Sequence, residues 1–276
     1  MLSTYSIAAC DLERREWGVA VASKFLAVGA LVAWAEPEVG AIATQAWIKT
    51  SYATEGLALL RSGLSAQEVL DRLVDEDDGR DRRQVGIVDD QGRGAAYTGA
   101  GCPDWAGGRT GSAYAIQGNI LASEDVITAM AEAFEAAPER PLAERLLETL
   151  AVGDAAGGDR RGKQAAALYV VKRGGGYEGS DILIDLRVDD HPDPVAELRR
   201  LHGLHDLYFG ETPQHEWLQA DDALRAEVKD RLRRLGYASG NLSHDLETWA
   251  GIENLEERVR GVERLDPVVL DELRKR

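Results

Sequence analysis

Two stretches of small, mostly apolar residues begin this chain, and they constrain its fold more than any other feature of the sequence. Residues 3–11 and 17–24 have the composition of β-strands, and the charged segment 11–16 connects them. Strands joined by so short a connection are expected to pair as an antiparallel hairpin. The sequence therefore predicts a sheet whose first two strands lie almost at the N-terminus.

The register of this hairpin decides which side chains meet across it. If Cys10 lies opposite Trp17, then Thr4 lies opposite Ser23, one residue from Lys24. The hairpin would then bring a threonine hydroxyl close to a serine hydroxyl and a lysine ammonium group. A hydroxyl beside an ammonium group is suited to nucleophilic catalysis, so this register is the first functional hypothesis.

Length and composition predict a soluble globular protein with one large domain and a small appendage. The chain has 276 residues, of which 44% are hydrophobic and 29% are charged. No apolar run approaches the roughly 20 residues that a membrane span requires. The N-terminus has no basic stretch followed by an apolar core, which is the pattern that indicates a signal peptide. We therefore expect a cytoplasmic protein with no membrane partner.

Charge, cysteine and histidine usage exclude several classes of function. The net charge of −16 argues against nucleic-acid binding, which requires a basic surface. Two cysteines, Cys10 and Cys102, provide neither a disulfide framework nor a multi-cysteine metal site. His202 and His205 have a helical spacing that can ligate a metal, but no carboxylate motif accompanies them. We expect no metal or other cofactor and a small-molecule or peptide substrate. For the oligomeric state, a homo-oligomer is one of the alternatives.

Strand and helix patterns occur in blocks along the first two thirds of the chain. Strands are predicted at 29–34, 40–47, 84–88, 94–98, 113–121, 164–171 and 182–188. Helices are predicted at 53–60, 124–134, 142–152 and 195–207, and a further helix begins at Ser65, where Ser65 and Glu68 form a capping-box pattern. Blocks of this kind favour an α+β fold in which antiparallel sheets pack between layers of helices.

The composition changes near residues 190–194, and strand patterns are absent from there on. Residues 208–213 form a predicted linker, and helices are predicted at 224–235, 246–259 and 267–276. We therefore predict a larger domain over residues 1–210 and a small all-α domain over residues 211–276.

Thr4 is the candidate nucleophile. An amino-terminal threonine attacks a carbonyl group with its hydroxyl and uses its own α-amine as general base. Three residues precede Thr4, so the Ser3–Thr4 bond would first have to be cleaved, autocatalytically by expectation. Lys24 would tune the pKa of the freed amine. The alternatives are that Thr4 is an ordinary β-branched strand residue and that Lys24 extends into solvent. No histidine precedes His191, which excludes a Ser-His-Asp triad in the larger domain.

Amide side chains interrupt two of the apolar strands. Gln45 lies inside the strand at 40–47, and Gln117 and Asn119 end the strand at 113–121. Such amides either orient a substrate carbonyl or amide group or satisfy backbone groups at the strand ends. We treat them, together with Ser23, as candidate substrate-binding residues.

A glycine-rich segment, residues 157–164, combines a flexible turn with a charge cluster just before a predicted buried strand. Asp159 and Arg161 are its candidate binding residues for a carboxylate or phosphate group. The alternative is an Arg–Asp pair that braces the loop. The segment lacks the spacing of a phosphate-binding loop and a following helix, so nucleotide binding is weakly supported.

Beyond these patterns, the chain closely resembles the domain-of-unknown-function 1028 family of the N-terminal nucleophile (Ntn) hydrolase-like superfamily. The resemblance spans about residues 3–188 and rests on the segments Thr4–Ala8, Gly18–Gly29, Gly40–Ala46, Arg83–Gly86, Gln117–Leu121 and Gly157–Gln164. It implies a four-layer αββα sandwich. The first strand is also similar to that of isoaspartyl peptidases, in which the nucleophilic threonine precedes an aspartate by seven residues, as Thr4 precedes Asp11.

The tail resembles a peptidoglycan-binding domain that often follows this family. The matching segments are Leu224–Leu235, Gly236–Tyr237, Trp249–Arg258 and Leu265–Leu270. The resemblance implies a glycan partner, for which Trp217 and Trp249 could form a stacking face, although helix packing is the other reading of both tryptophans. Taken together, the sequence predicts an Ntn-type amidohydrolase acting on a small amide or peptide, with a non-catalytic ligand-binding or assembly protein as the alternative.

Overall fold

The computed structural model describes residues 4–276, so the expected cleavage site after Ser3 lies outside the described residues. Its strands are β1 Thr4–Asp11, β2 Glu16–Ser23, β3 Ala33–Glu36, β4 Gly40–Ala46, β5 Arg83–Asp89, β6 Gly94–Thr98, β7 Gly107–Gly111, β8 Tyr114–Asn119, β9 Ala165–Val171, β10 Ile182–Val188, β11 Leu218–Gln219 and β12 Arg264–Leu265. Its α-helices are α1 Gly29–Val32, α2 Ser51–Arg61, α3 Ala66–Asp75, α4 Asp125–Glu135, α5 Leu142–Ala155, α6 Pro194–Phe209, α7 Asp222–Arg234, α8 Leu242–Ile252 and α9 Pro267–Lys275.

Two antiparallel sheets stack face to face in the first two thirds of the chain. One sheet has six strands in the order β10-β9-β2-β1-β8-β7, and the other has four in the order β3-β4-β5-β6. Helices α2 and α3 pack on the outer face of the four-stranded sheet, and α4 and α5 pack on that of the six-stranded sheet. The predicted αββα sandwich is confirmed, and so is the hairpin register, with Cys10 opposite Trp17 and Thr4 opposite Ser23.

The alternation of side chains along β1 separates the two faces of its sheet. Tyr5 points to the helical layer, where its hydroxyl donates to Asp154 Oδ1 on α5 at 3.2 Å. Ala8 and Cys10 point between the sheets and join an apolar core of small residues. Thr4 and Ser6 lie on this same inner face, nearer the start of the strand. The space between the sheets is therefore apolar at one end and polar at the other.

Two predicted elements of the sandwich differ from the structure. The strand expected at 29–34 is a short helix, α1, followed by the shorter strand β3. A short apolar run carries no period that distinguishes a helix from a strand. Gly29 also lies so close to β9 that a Cβ there would be 2.3 Å from Ala167 Cβ. Strand β7 was not predicted, because its sequence Gly-Gly-Arg-Thr-Gly has no apolar side chain and only its ladder with β8 defines it.

Backbone contacts divide the chain into two compact units, residues 1–200 and 201–276, and the division falls inside α6. Helix α6 extends to Phe209, so the first two residues of the predicted linker at 208–213 are helical. The predicted tail helix 246–259 instead ends at Ile252, because Asn254 adopts a left-handed backbone conformation with φ of 58°. No helix within residues 4–276 is long and apolar enough to cross a membrane.

The second unit has its own core, in which α7, α8 and α9 pack around Trp249, Leu232 and Leu270. A two-residue ladder between β11 and β12 adds a strand pair that the predicted all-α domain lacked. Trp249 is only 1% exposed, so the structure removes it from any sugar-stacking face and assigns it to helix packing.

Candidate functional site

The polar end of the space between the sheets is built by strand register. On the six-stranded sheet, Ser23, Thr4 and Asn119 lie side by side on β2, β1 and β8. Across the space, Gln45 and Gln84 lie side by side on β4 and β5. Because paired residues of neighbouring strands point to the same face, these side chains converge on one volume.

Thr4 is completely buried in this volume. Its hydroxyl donates to Ser23 Oγ at 3.2 Å, and its backbone carbonyl accepts from Gln45 Nε2 at 3.1 Å. The first described residue of β1 is thus attached to both sheets, through one side-chain contact and one backbone contact. The position of the hydroxyl is consequently set by the sandwich and not by a mobile loop.

Four buried amides and one serine form the amide cluster, which we define as Ser6, Gln45, Gln84, Gln117 and Asn119. All five side chains are 0% exposed. Ser6 Oγ accepts from Gln117 Nε2 and donates to Gln45 Oε1, both at 2.6 Å. Gln84 Oε1 accepts from Gln45 Nε2 at 2.8 Å and from Asn119 Nδ2 at 2.9 Å. The cluster is uncharged, so it can orient an amide or hydroxyl group but supplies no acid or base near neutral pH.

Gln117 packs against β5 at Gly86. A Cβ at residue 86 would lie 1.9 Å from Gln117 Oε1, so any other residue at that point of β5 would displace the Gln117 amide. Within residues 4–276, Gln117 Oε1 accepts no hydrogen bond. The glycine in the segment Arg83–Gly86 therefore leaves the space that the Gln117 amide occupies.

Lys24 directs its ammonium group elsewhere. The side chain is exposed, and Nζ donates to the backbone carbonyl of Lys163 at 3.1 Å. Among the described residues the structure records no hydrogen bond between Lys24 and Thr4. The role of Lys24 as an electrostatic tuner of Thr4 stays a prediction.

Asp159 and Arg161 lie beside the backbone of Lys24. Asp159 Oδ2 accepts from the Lys24 backbone N–H at 2.7 Å, and Arg161 Nη2 donates to the Lys24 carbonyl at 3.2 Å. The two side chains also pair with each other at 3.0 Å. They attach the glycine-rich loop 157–164 to the end of β2, next to Ser23. The structure thus shows Asp159 and Arg161 as a pair that braces this loop. A role in binding substrate stays a prediction.

Asp77 supports the rim of the site through Arg83. Its carboxylate accepts from Arg83 Nε at 2.9 Å, from the Gly79 backbone N–H at 3.0 Å and from the Tyr52 hydroxyl at 3.0 Å. Arg83 in turn donates from Nη1 to the carbonyl of Trp47, two residues beyond Gln45, at 2.7 Å. Burial acts to raise the pKa of Asp77, but the hydrogen bonds outweigh it and hold that pKa well below its ordinary value.

We expect Asp77→Asn to weaken the sandwich unit in a pH-dependent way. The depressed pKa means that the ionised Asp77 stabilises the fold fully above about pH 5, and that this stabilisation declines as the pH falls through the unfolded value of about 3.9 toward the folded one. The variant should lose about 1–3 kcal/mol at pH 7, and the difference from the parent protein should shrink below about pH 4. Urea unfolding at pH 7, 5, 4 and 3 measures it. Asp78→Asn, at an exposed neighbour, is the control, and parallel stability curves for Asp77→Asn and its parent would contradict the assignment.

The structure therefore brings Thr4, Ser23, Gln45, Gln117 and Asn119 into one volume. Lys24, Asp159 and Arg161 lie at its edge and are joined through backbone contacts. Sequence reasoning missed Ser6 and Gln84. Gln84 carries the same signal as Gln45, a polar side chain inside an apolar strand, whereas Ser6 gives no local signal beyond sharing a face with Thr4.

Comparison with known families gives two matches that together cover most of the chain. The sequence model of "Family of unknown function (DUF1028)" matches residues 4–198. The model of "Putative peptidoglycan binding domain" matches residues 208–273. Comparison with curated proteins gives no match.

Among the solved structures that match, one is similar over most of its length. It is the crystal structure of a protein from Silicibacter pomeroyi that carries the same DUF1028 family assignment. The two proteins share 31% sequence identity, and the match covers 77% of this chain and 88% of the other, with a TM-score of 0.68. The likeness concerns sequence as well as fold.

Proposed function

We propose that this chain, which belongs to the DUF1028 family, a family of unknown function, is an Ntn-type amidohydrolase acting on a small amide or peptide. The observation that carries the proposal is the position of Thr4. Its hydroxyl lies at the start of β1, in the polar end of the space between the sheets, bonded to the Ser23 hydroxyl. A nucleophile at this point would meet a substrate that enters between the sheets.

The amide cluster supports an uncharged amide as substrate. Gln45 already donates to one carbonyl, that of Thr4, at 3.1 Å, and Asn119 is the neighbour of Thr4 across the strand pair. In the proposed enzyme, Gln45, Gln117 and Asn119 position the substrate amide. Lys24 and Arg161 contribute positive charge at the edge of the site, and Asp159 holds Arg161 in place.

The proposed chemistry requires a free amine on Thr4. The Thr4 hydroxyl would attack the carbonyl carbon of Ser3, which transfers the acyl group from nitrogen to oxygen, and water would hydrolyse the ester. The products are a carboxylate on Ser3 and an α-amine on Thr4, which then acts as the general base in turnover. Thr4 is therefore needed twice, first for processing and then for catalysis.

Intact mass and turnover of Thr4 variants test the proposal. We expect the purified protein to lack residues 1–3 and Thr4→Ala to retain them, because the alanine has no hydroxyl. Turnover in a screen of amide-bearing metabolites and short peptides should fall by about 10³-fold or more in Thr4→Ala, and Thr4→Ser should restore part of it. Thr110→Ala, on the exposed strand β7, is the matched control. An unprocessed protein whose turnover is unaffected by Thr4→Ala would refute the proposal.

One observation favours the alternative of a non-catalytic binding or assembly protein. Thr4 is 0% exposed, and the side chains of the amide cluster make their hydrogen bonds to other groups of the protein. A sandwich kept only as a scaffold would have these properties. The same experiment separates the two accounts, because a scaffold keeps its first residues and shows no turnover. For the tail, the family match supports peptidoglycan as a partner, which we rank below both accounts because Trp249 is buried.

A further inference from the structure

A cavity of about 340 Å³ opens at the β10 edge of the sandwich. The six-stranded sheet ends at β10, whereas the four-stranded sheet ends at β3, which packs over β2 and β9. The inner face of β10 therefore has no strand above it, and the cavity lies between this face, β3 and the short helix α1. None of the residues that line it belongs to the amide cluster.

Most of the residues that line the cavity are apolar. Tyr169 and Ile182 supply its large side chains, and alanines of α1, β3 and β9 supply much of the rest. Ile182 is 40% exposed, so part of its apolar surface is accessible from the cavity. Burial, followed by the charge of Asp185, raises the pKa of Tyr169, so its hydroxyl remains a neutral donor. The volume is at the lower end of the range for small-molecule sites.

One side of the cavity carries opposite charges. Asp185 and Arg187 alternate on β10, so both point to the inner face, opposite Tyr169 and Ala167. Arg187 donates from Nε and Nη2 to the two Asp185 oxygens at 2.8 and 2.6 Å. Nη1 of Arg187 makes no hydrogen bond within the described chain, and each Asp185 oxygen can accept a second one. The pair thus presents a carboxylate and a guanidinium group side by side, and each can form further hydrogen bonds with a ligand.

We propose that this cavity binds a free α-amino acid with an apolar side chain. The ligand's carboxylate would bind Arg187, its ammonium group would bind Asp185, and its side chain would enter the space between the β3 alanines and Tyr169. The charge pattern selects a zwitterion, because an internal peptide segment or an uncharged amphiphile offers neither charge. The proposal is independent of the catalytic role of Thr4.

Calorimetric titration of the full chain tests the proposal with four probes: L-leucine, L-phenylalanine, N-acetyl-L-leucine and N-acetyl-L-leucinamide. We expect saturable binding of the two free amino acids and affinity at least about tenfold weaker for the acetylated amide, which keeps the side chain and lacks both charges. N-acetyl-L-leucine, which keeps the carboxylate alone, should lie between them. Absence of saturable binding by either free amino acid, or equal affinity for the acetylated amide, would overturn the proposal.

Variants locate the site. Arg187→Gln should weaken L-leucine binding by about tenfold or more, and Ala35→Leu should abolish it by filling the cavity. Arg140→Gln removes a surface arginine that pairs with Glu144 at 2.9 Å on the helical side, and should leave binding unchanged. If Ala35→Leu fails to fold by circular dichroism, Arg187→Gln decides alone, since Arg187 is half exposed. Unchanged affinity in Arg187→Gln would overturn the assignment.

Discussion

Replacing Arg258 by methionine is expected to destabilise the C-terminal unit by about 3–5 kcal/mol. Arg258 and Asp266 form a 2.9 Å ion pair in which the two side chains are only 6% and 1% exposed. The guanidinium group also donates to the carbonyls of Leu207 and Asp206, at 2.6 and 2.5 Å, and to the Thr212 hydroxyl at 2.9 Å. Methionine fills similar space but leaves a buried carboxylate and two carbonyls without their donors.

The Arg258 pair connects segments that are distant in sequence within this unit. Asp266 also caps α9 by accepting from the Val268 backbone N–H at 2.8 Å, so loss of its partner disturbs a helix N-terminus as well. Chemical unfolding followed by hydrogen exchange of the full chain would show the loss confined to residues 201–276. In the double variant Arg258→Met/Asp266→Asn, much of the stability should return, because the uncompensated charge is gone while asparagine can still cap the helix.

A surface arginine provides the control for Arg258. Arg233 on α7 pairs with Asp230 at 2.8 Å, but both side chains are about half or more exposed. Arg233→Met should therefore change stability by less than about 1 kcal/mol. If Arg258→Met lowered the free energy of unfolding no more than Arg233→Met does, the buried ion pair would not stabilise the C-terminal unit.

Gln84→Leu is expected to destabilise the sandwich unit by about 2–5 kcal/mol. Gln84 Nε2 donates to the Gly118 carbonyl at 2.7 Å and to Thr98 Oγ1 at 2.9 Å, and its Oε1 accepts from Gln45 and Asn119. Leucine has a similar volume but no polar atom, so several buried groups on both sheets lose their partner at once. Each such group costs about 1–3 kcal/mol, and the costs are not additive.

Thr98→Val is the matched control for Gln84→Leu. It removes one hydrogen bond of the same residue at a partly exposed position, so a loss of about 1 kcal/mol is expected. Equilibrium urea unfolding of both variants measures the difference. Equal losses would show that the amide cluster does not connect the two sheets, and would remove the main support for a preorganised site.

The amide cluster also bears on the proposed activity. A Gln84 variant that folds but loses turnover would indicate that the orientation of Gln45 and Asn119 matters for the substrate, since Gln84 accepts from both. Thr4 itself does not touch Gln84 within the described hydrogen bonds. Stability and turnover therefore report on different parts of the site.

Local patterns were sufficient to predict the N-terminal hairpin, its register and the capping box at Ser65, where Ser65 Oγ accepts from the Glu68 backbone N–H. They were also sufficient for the layered α+β architecture. These features depend on neighbours in sequence or on alternation, which a single chain displays directly. Gln45, Gln117 and Asn119 were identified for the same reason, because a polar residue inside an apolar strand stands out.

Contacts between segments far apart in sequence determined what no local pattern could indicate. Ser6 became part of the amide cluster only because β4 and β8 place Gln45 and Gln117 on either side of it. The Lys24 ammonium group turned to the Lys163 carbonyl, 139 residues away along the chain, because loop 157–164 packs against the end of β2. The cavity beside β3 exists because one sheet is wider than the other. Hydrogen-bond partners and cavities depend on distances between segments far apart in sequence, and only packing in three dimensions sets those distances.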